Sequence, residues 1–284
     1  MAANSCQLCC ELRAFRGPLN YTETNHVDRY EPMKNLRFIA RLDVKTEHLV
    51  KGIQLEGLRK LGKPNDFARR YYAEGIDEIL YVDIVASLYE RNSLLPIIER
   101  ATEDIFVPLT VGGGIRSLEN VRKALELGAD KVAINTAALR NPDLISEVAK
   151  AFGSQCMVLN VEAKRTGLNA WECYYDNGRE KSGRSVVDWV REAGDRGAGE
   201  ILLTSVDQEG GQKGMDIKLI EAVCNIAKVP VIASGGVGSI EHISDAADVG
   251  VDAVAMAHVL HYDKLQISEI KAWANQHGGL EVRL

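Results

Sequence analysis

From residue 36 onward, short apolar runs alternate with amphipathic helical patterns. The runs are rich in β-branched residues and almost continuously apolar, as parallel strands buried on both faces require. We predict strands at residues 38–43, 78–84, 107–112, 131–135, 156–162, 200–206, 229–234 and 253–257. The clearest helical patterns cover residues 64–74, 118–127, 142–152, 186–196, 217–227 and 240–249. Eight strand–helix units in this order predict an α/β fold of the (β/α)8 TIM barrel type.

The second half of this pattern repeats the first. Gly75 corresponds to Gly197 at a constant offset of 122 residues, and the match continues without gaps to about residue 262. The first strand joins the repeat at an offset of 119, which aligns Asp43 with Glu162. A repeat of this length is half of a domain rather than a short solenoid unit. We therefore predict two half-barrels, at about residues 33–152 and 153–284, and expect a site in one half to be mirrored in the other.

Composition and charge narrow the class of protein. The 284 residues are 46% apolar and 26% charged, which is ordinary for a globular protein. No apolar run approaches the length of a membrane span, and the start lacks the pattern of a signal peptide. The net charge of −6 disfavours nonspecific binding to nucleic acid. We expect a cytoplasmic protein that binds neither membranes nor nucleic acid.

The first 32 residues share nothing with the repeat. They are polar and irregular, so we expect a poorly ordered extension that precedes a single barrel at residues 33–284. Met33 could be the true start of the protein. The extension contains a Cys-x-x-Cys-Cys motif at Cys6, Cys9 and Cys10, which could be half of a zinc site. The partner pair is missing, so we expect no metal site, and only His26 and His48 lie nearby as further candidates.

Two glycine clusters end equivalent strands. Glycine lets backbone N–H groups approach an anion closely, and a following helix adds its positive end. A tight turn alone would explain one such cluster. Two clusters at repeat-equivalent positions, each beside a small or polar strand end, favour two phosphate sites and a substrate phosphorylated at both ends. The predicted phosphate-site residues are Gly113, Gly114, Asn135 and Thr136 in the first half, and Ser234, Gly235, Gly236, Ala257 and His258 in the second.

A carboxylate ends the first strand of each half. Asp43 and Glu162 should lie on opposite sides of an eight-stranded barrel, between the two predicted phosphate sites. A pair of carboxylates there suits general acid–base catalysis. The alternative is that each forms a surface ion pair, Asp43 with Lys45 and Glu162 with Lys164. Other polar groups predicted on the same rim include Lys51, Thr204, Glu209 and Gly210.

The opposite face of the barrel carries charges at the starts of four strands, and two long loops extend its rim. The four charged residues could be solvated separately or could close a ring of salt bridges. The loops follow the first strand of each half. We interpret residues 45–62 as a charged, glycine-punctuated loop, and residues 164–183 as containing a hairpin that turns at Asp176-Asn-Gly178. The four charged residues are Arg37, Glu78, Lys131 and Glu200.

Several of these motifs resemble the cyclase subunit of imidazole glycerol phosphate synthase. The resemblance covers roughly residues 33–284. The motifs are Leu-Asp-Val-Lys at 42–45, Val-Lys-Gly at 50–52, Val-Gly-Gly-Gly-Ile at 111–115, Lys-Val-Ala-Ile-Asn-Thr-Ala at 131–137, Phe-Gly-Ser-Gln at 152–155, Gly-Glu-Ile-Leu-Leu-Thr-Ser at 199–205 and Ala-Ser-Gly-Gly at 233–236. A sister isomerase of histidine synthesis shares the half-barrel repeat, but the motifs at 131–136 and 199–205 are closer to the cyclase.

The resemblance implies a reaction, a partner and residue roles. Ammonia from a separate glutaminase, docked on the floor of the barrel, would react with a bisphosphorylated ribulosyl formimino-aminoimidazole carboxamide ribonucleotide, without a cofactor. The products would be imidazole glycerol phosphate and aminoimidazole carboxamide ribonucleotide. Asp43 matches the catalytic base of the family, and Lys51 matches a mobile-loop lysine that reaches the substrate. Arg37, Glu78, Lys131 and Glu200 match its charged ammonia gate.

The chain also departs from the family around the site. The second catalytic carboxylate is usually aspartate, and Glu209 also stands where aspartate is usual. These departures leave two alternatives open: a paralogue that delivers ammonia to another acceptor, such as a sugar of a surface polysaccharide, and a noncatalytic glutaminase-binding barrel. The departures are Glu162, Glu209, His258, Arg41 and Asn160.

Overall fold

The computed structural model describes residues 34–86, 94–277 and 280–281. The predicted extension at residues 1–32 and its cysteine motif lie outside this part of the chain, so the predicted domain boundary remains a prediction. Cys156 and Cys173 are buried free thiols.

Eight parallel strands close into a barrel, which confirms the predicted α/β fold. The strand Arg37–Lys45 pairs with Glu78–Asp83, and the sheet continues strand by strand to Ala253–Met256, which pairs again with Arg37–Lys45. The eight barrel strands are Arg37–Lys45 (β2), Glu78–Asp83 (β5), Leu109–Gly112 (β6), Lys131–Ile134 (β7), Met157–Gly167 (β8), Glu200–Ser205 (β11), Val231–Ser234 (β12) and Ala253–Met256 (β13). The others are Lys34–Asn35 (β1), His48–Ile53 (β3), Glu56–Gly62 (β4), Ala170–Tyr175 (β9), Glu180–Ser185 (β10) and Leu280–Glu281 (β14).

Helices follow the barrel strands and cover their outer faces. Six of them lie at the predicted positions, with ends that differ by no more than a few residues. The described α-helices are Pro64–Ala73 (α1), Leu95–Ala101 (α2), Leu118–Glu126 (α3), Thr136–Arg140 (α4), Asp143–Phe152 (α5), Val186–Asp195 (α6), Ile217–Cys224 (α7), Ile240–Asp248 (α8), His258–His261 (α9) and Ile267–Gln276 (α10).

The main difference from the sequence interpretation is at residues 45–62. We interpreted them as a loop, but β3 and β4 form an antiparallel hairpin there. Most of β4 is exposed or half-buried and lacks a clean apolar alternation, because the strand is fixed by pairing rather than by burial. The hairpin predicted after β8 is confirmed, with Asp176, Asn177 and Gly178 in left-handed backbone conformations at its turn.

The two halves share backbone details as well as sequence. The backbone N–H of Leu109 donates to Asp130 at 2.8 Å, and the equivalent N–H of Val231 donates to Asp252 at 2.8 Å. The prolines before these two strands accept equivalent bonds through their carbonyl oxygens, at 3.0 and 2.9 Å. These prolines have no N–H to pair, so both strands begin two residues later than predicted.

The barrel interior is layered along its axis. The inward side chains of β2 alternate with outward ones that pack against the helices, as the period of a strand requires. Charged residues form the lowest inward layer, at the amino ends of the strands. An apolar layer lies above it, and polar side chains lie above that at the rim. The apolar layer includes Ile39, Leu80, Val158, Leu202, Ile232 and Ala255.

Candidate active site

The two predicted acids lie on opposite sides of the barrel mouth. Asp43 is near the carboxyl end of β2 and Glu162 is on β8, which is four strands away in the ring of eight. Both carboxylates point inward and are buried, with 2% and 5% of each residue exposed. The alternative of surface ion pairs with Lys45 and Lys164 is therefore wrong for both.

Asp43 is held by two buried cations. Arg41 Nε donates to Asp43 Oδ1 at 2.9 Å, and Lys51 Nζ donates to Asp43 Oδ2 at 3.1 Å. Burial alone would raise the pKa of this carboxyl, but the charges of Arg41 and Lys51 outweigh it and hold the pKa well below its usual range. Asp43 is therefore ionised throughout the neutral range.

Glu162 has the opposite electrostatic character. Its Oε2 accepts a hydrogen bond of 2.7 Å from the backbone N–H of Gly178, at the turn of the hairpin that follows. Burial raises the pKa of Glu162 to about 7, against the opposing effects of this hydrogen bond and of the Arg41 charge. One rim acid is thus ionised at neutral pH while the other retains much of its proton, as an acid–base pair requires.

The β3–β4 hairpin covers the mouth of the barrel and carries Lys51. Lys51 Nζ also contacts the carboxylate of Glu209, and the backbone N–H of Gln54 donates to the Glu209 carbonyl oxygen at 2.7 Å. The two hairpins meet where Asn177 Nδ2 donates to the Leu55 carbonyl oxygen at 3.3 Å. Close packing also fixes Gly210, because a Cβ there would lie 2.6 Å from the Gly52 carbonyl oxygen.

The first-half glycine cluster opens into a cavity of about 250 Å³. Gly113 and Gly114 line it with left-handed backbone conformations, at φ angles of 89° and 74°. A Cβ on Gly113 would lie 2.1 Å from the Asp83 carbonyl oxygen, so only glycine fits there. The same cavity is lined by Asn135, Thr136, Arg140 and Glu162, which brings the predicted first phosphate site and the acid with the raised pKa together.

In the second half, the equivalent polar groups contact other side chains of the protein. One Arg41 amino group donates to Thr204 Oγ1 at 2.9 Å and to Ser234 Oγ at 3.2 Å. The Glu209 carboxylate lies against the second glycine cluster, where a Cβ on Gly235 would be 3.2 Å from Oε2. A Cβ on Gly236 would meet the Gly214 carbonyl oxygen at 2.1 Å.

His258, which was predicted as a phosphate ligand, lies in a separate and larger cavity. This cavity has a volume of about 630 Å³ and lies between the first hairpin and the chain that follows β13. Burial, followed by the charges of Lys264 and Lys51, lowers the pKa of His258. Ala257, which precedes it, is buried at the start of α9. The two predicted phosphate sites therefore differ in their surroundings.

The four charged residues at the barrel floor close a ring. Glu78 accepts from Arg37 at 2.9 Å and from Lys131 at 3.0 Å, and Glu200 contacts the same two cations, with Lys131 at 2.8 Å. Each acid thus contacts both cations, and each cation contacts both acids. The interpretation of separately solvated charges is wrong for these residues.

Sequence reasoning missed Arg41 as part of the site. It was noted only as a departure from the family, yet it contacts both a rim acid and two second-half hydroxyls. The available signal was its place in the alternation of β2, where Arg37, Ile39 and Asp43 also point inward. Among the described residues, no cluster of three or more possible metal ligands is present. In the same part of the chain, no helix is long and apolar enough to cross a membrane.

Comparison with known proteins gives one consistent result. The family described as "Histidine biosynthesis protein" matches residues 37–266. Imidazole glycerol phosphate synthase subunit HisF of Legionella pneumophila is 56% identical over 75% of this chain and 100% of its own length. The subunits of the same name from Streptococcus sanguinis and Thermococcus onnurineus are each 46% identical, over 89% and 87% of this chain and 100% and 98% of their own lengths. This chain therefore belongs to the histidine biosynthesis protein family, in which these relatives are HisF subunits.

Proposed function

We propose that this chain is the ammonia-using cyclase subunit of an imidazole glycerol phosphate synthase. The observation that carries the proposal is the pair of buried acids at the barrel mouth, one ionised and one with a pKa of about 7. The names of the relatives support the same activity. Ammonia and the bisphosphorylated ribulosyl formimino-aminoimidazole carboxamide ribonucleotide would give imidazole glycerol phosphate and aminoimidazole carboxamide ribonucleotide, which is a lyase reaction.

Proton transfer would be divided between the two acids. Asp43, as the ionised group, takes a proton from the nitrogen that attacks the substrate. Glu162, as the protonated group, gives a proton to the group that leaves. Both oxygens of Asp43 are engaged by Arg41 and Lys51, so the base becomes available when Lys51 moves toward the substrate.

The phosphates of the substrate would bind at the two ends of the rim. The first-half cavity offers Gly113, Gly114 and the start of α4 at Thr136 for one phosphate. The second phosphate would bind at Ser234, Gly235 and Gly236, after Glu209 leaves the glycine cluster. Lys51 contacts the carboxylates of both Glu209 and Asp43. When Glu209 moves away, Lys51 is therefore the cation that can turn toward the second phosphate.

The partner in this proposal is a glutaminase subunit at the amino face of the barrel. Ammonia released there would pass the ring of Arg37, Glu78, Lys131 and Glu200 and then cross the apolar layer to the rim. A neutral molecule can cross an apolar layer that excludes ions. We place the assembly in the cytoplasm, where histidine biosynthesis and free thiols are both expected.

A second candidate is a related subunit that delivers ammonia to a different acceptor, such as a polysaccharide sugar. The observation that favours it is in the second half of the rim. There Arg41 donates hydrogen bonds to the hydroxyls of Thr204 and Ser234, and the Glu209 carboxylate packs against Gly235. These contacts must break before a second phosphate binds. The third reading, a noncatalytic glutaminase-binding barrel, predicts docking without turnover.

One assay separates these functions. The purified chain is mixed with the bisphosphorylated ribonucleotide and an ammonium salt at alkaline pH, and the loss of substrate absorbance is followed. The cyclase predicts turnover that depends on both components. No turnover with a correctly folded chain would overturn the cyclase proposal.

The length of the second acid sharpens the assay. We expect Glu162→Asp to react at least comparably if the chain is a histidine-pathway cyclase, because aspartate is the usual residue of the family. Negligible rates with either acid would point to another acceptor. The matched change in the first half, Asp43→Glu, should lower the rate about a hundredfold, because it displaces the base by roughly 1 Å.

A further inference from the structure

Two asparagine side chains enter the first-half cavity, each with an amide oxygen that accepts no hydrogen bond from any described residue. They are Asn135 and Asn160. Asn160 is 6% exposed, and Asn135 Nδ2 donates to the Tyr174 carbonyl oxygen at 3.0 Å, which turns Oδ1 the other way. Ile134 and Leu159 are paired in register on β7 and β8, and each asparagine is the next residue, so the two side chains start from neighbouring positions in the wall of this cavity.

Unsatisfied buried acceptors indicate a ligand with hydrogen-bond donors. A buried amide oxygen without a donor lowers the stability of a protein, so such groups are rare outside functional sites. An amide oxygen cannot donate to a phosphate oxygen, so the phosphate proposed for this cavity would bind at Gly113, Gly114 and Thr136, and the two amide oxygens stay available to a donor. A small molecule with several N–H groups would satisfy both.

The place of Asn160 connects the barrel interior with the rim. It lies on β8 directly below Glu162 in the inward alternation, and it pairs in register with Leu202 of the apolar layer. On the other side of the mouth, the side chain of Arg41 extends to β11 and β12 and fills the space. The interior residues Val82 and Ala133 line the same cavity as Asn160. The apolar interior therefore meets the rim on the side of Asn160.

We propose that Asn160 binds the ammonia molecule at the base of the first-half cavity, with Asn135 as the second acceptor. This inference rests on the proposed use of ammonia. Two N–H groups of ammonia donate to the two amide oxygens, which leaves the nitrogen lone pair free to attack a carbon atom held above. The amide oxygens carry no formal charge to attract ammonium, and the apolar residues Val82 and Ala133 in the same cavity disfavour an ion, so the site favours ammonia in its neutral, nucleophilic form. Asn160 is thereby a nitrogen-binding residue that the HisF resemblance does not supply.

A kinetic test uses Asn160→Leu, which keeps the shape of the side chain and removes the acceptor. We expect the KM for ammonia to rise about tenfold, as for the loss of one hydrogen bond. The KM for the phosphorylated substrate and the kcat at saturating ammonia should change less than about twofold. Asn160→Thr keeps an acceptor and should restore much of the ammonia affinity. Asn141→Leu is the matched control, because Asn141 lines the same cavity in an extended backbone conformation but is exposed.

The outcomes separate this inference from the proposed function. An unchanged ammonia KM in Asn160→Leu would overturn the role of Asn160 and leave the cyclase proposal intact. A lack of turnover in the unaltered chain would overturn the cyclase proposal instead, and the role of Asn160 would then be decided by a measurement without substrate.

That measurement is a nuclear magnetic resonance titration of the unaltered chain. The side-chain carbonyl carbon resonance of Asn160 is assigned by its absence in Asn160→Leu. Ammonium chloride, added above the pKa of ammonium, should shift this resonance saturably. Sodium chloride at the same pH, and ammonium chloride at acidic pH, should not. A resonance that does not respond to neutral ammonia would overturn the inference for any acceptor.

Discussion

The two halves of the barrel have the same backbone but different rim chemistry. The bonds from Leu109 to Asp130 and from Val231 to Asp252 have the same length of 2.8 Å. At the rim, however, Asp43 is ionised between two cations, while Glu162 lies among fewer positive charges and has a pKa of about 7. A duplicated scaffold therefore fixes where two acids stand, and the side chains around them decide which accepts a proton and which donates it.

The floor ring shows the same division between scaffold and side chains. Its two acids, Glu78 and Glu200, are repeat-equivalent, but both of its cations belong to the first half. The residue equivalent to Lys131 is Ala253, which pairs in register with Arg37 and carries no charge. The second half thus supplies an acid to the ring and no cation.

The largest expected effect is the loss of the ionised acid. Asp43→Asn keeps the shape of the side chain and removes the base, so we expect kcat to fall about a thousandfold with little change in substrate affinity. Steady-state kinetics with the bisphosphorylated substrate and ammonium measure both. Unchanged activity would remove Asp43 from its role. A thermal melt serves as the control, because Arg41 and Lys51 lose a buried partner.

The second prediction concerns the protonated acid and pH. Glu162 acts as an acid only while it is protonated. The kcat, measured with neutral ammonia saturating at every pH, should therefore fall as pH rises through about 7. Asp43 should cause no change in the pH–rate profile near neutrality, because its lowered pKa keeps it ionised there. Glu162→Gln should lower the rate about a hundredfold and flatten the profile above neutrality. A profile that keeps its alkaline limb in this variant would assign the limb to another group.

The third prediction tests the floor ring. Lys131→Met leaves Arg37 as the remaining cation of the ring beside the buried Glu78 and Glu200, so we expect a loss of about 2–3 kcal/mol in the free energy of unfolding, somewhat less than for a fully buried pair. Denaturant unfolding measures it. Lys123→Met is the matched control, because the Lys123–Glu119 pair is exposed and should contribute less than about 0.5 kcal/mol. Equal losses in both variants would contradict the ring as a stabilising unit.

The smallest effect compares two helix caps. Ser117 and Ser239 precede α3 and α8 with nearly the same extended backbone, but only Ser117 Oγ accepts a backbone N–H, that of Asn120. Ser117→Ala should cost about 1 kcal/mol of stability, and Ser239→Ala only a few tenths. Chemical denaturation of both variants checks the difference. A larger loss for Ser239→Ala would show that the two caps are not related as described.

Much of the site could be located from sequence because strand ends determine it. The near-continuous apolar runs predicted the barrel strands, and parallel strands bring their carboxyl ends to one rim. The residue after each run therefore had to face the site, which placed Asp43, Glu162 and both glycine clusters. The repeat added the pairing of positions between halves. These predictions depend only on local periodicity and chain order.

Other features depended on groups distant in sequence. The identity of the acid and the base follows from desolvation and from the charges of Arg41 and Lys51, which no sequence pattern reports. The β3–β4 hairpin was missed because pairing and contact with residues 207–210 hold it, while its own pattern is polar. The unpaired amide of Asn160 became visible only when its surroundings were known. Sequence alone determined the barrel, its two halves and the positions of the rim groups, because covalent order and alternation fix them. Tertiary structure decided the charge states and the free acceptors, because electrostatic energies and hydrogen-bond partners depend on distances across the barrel.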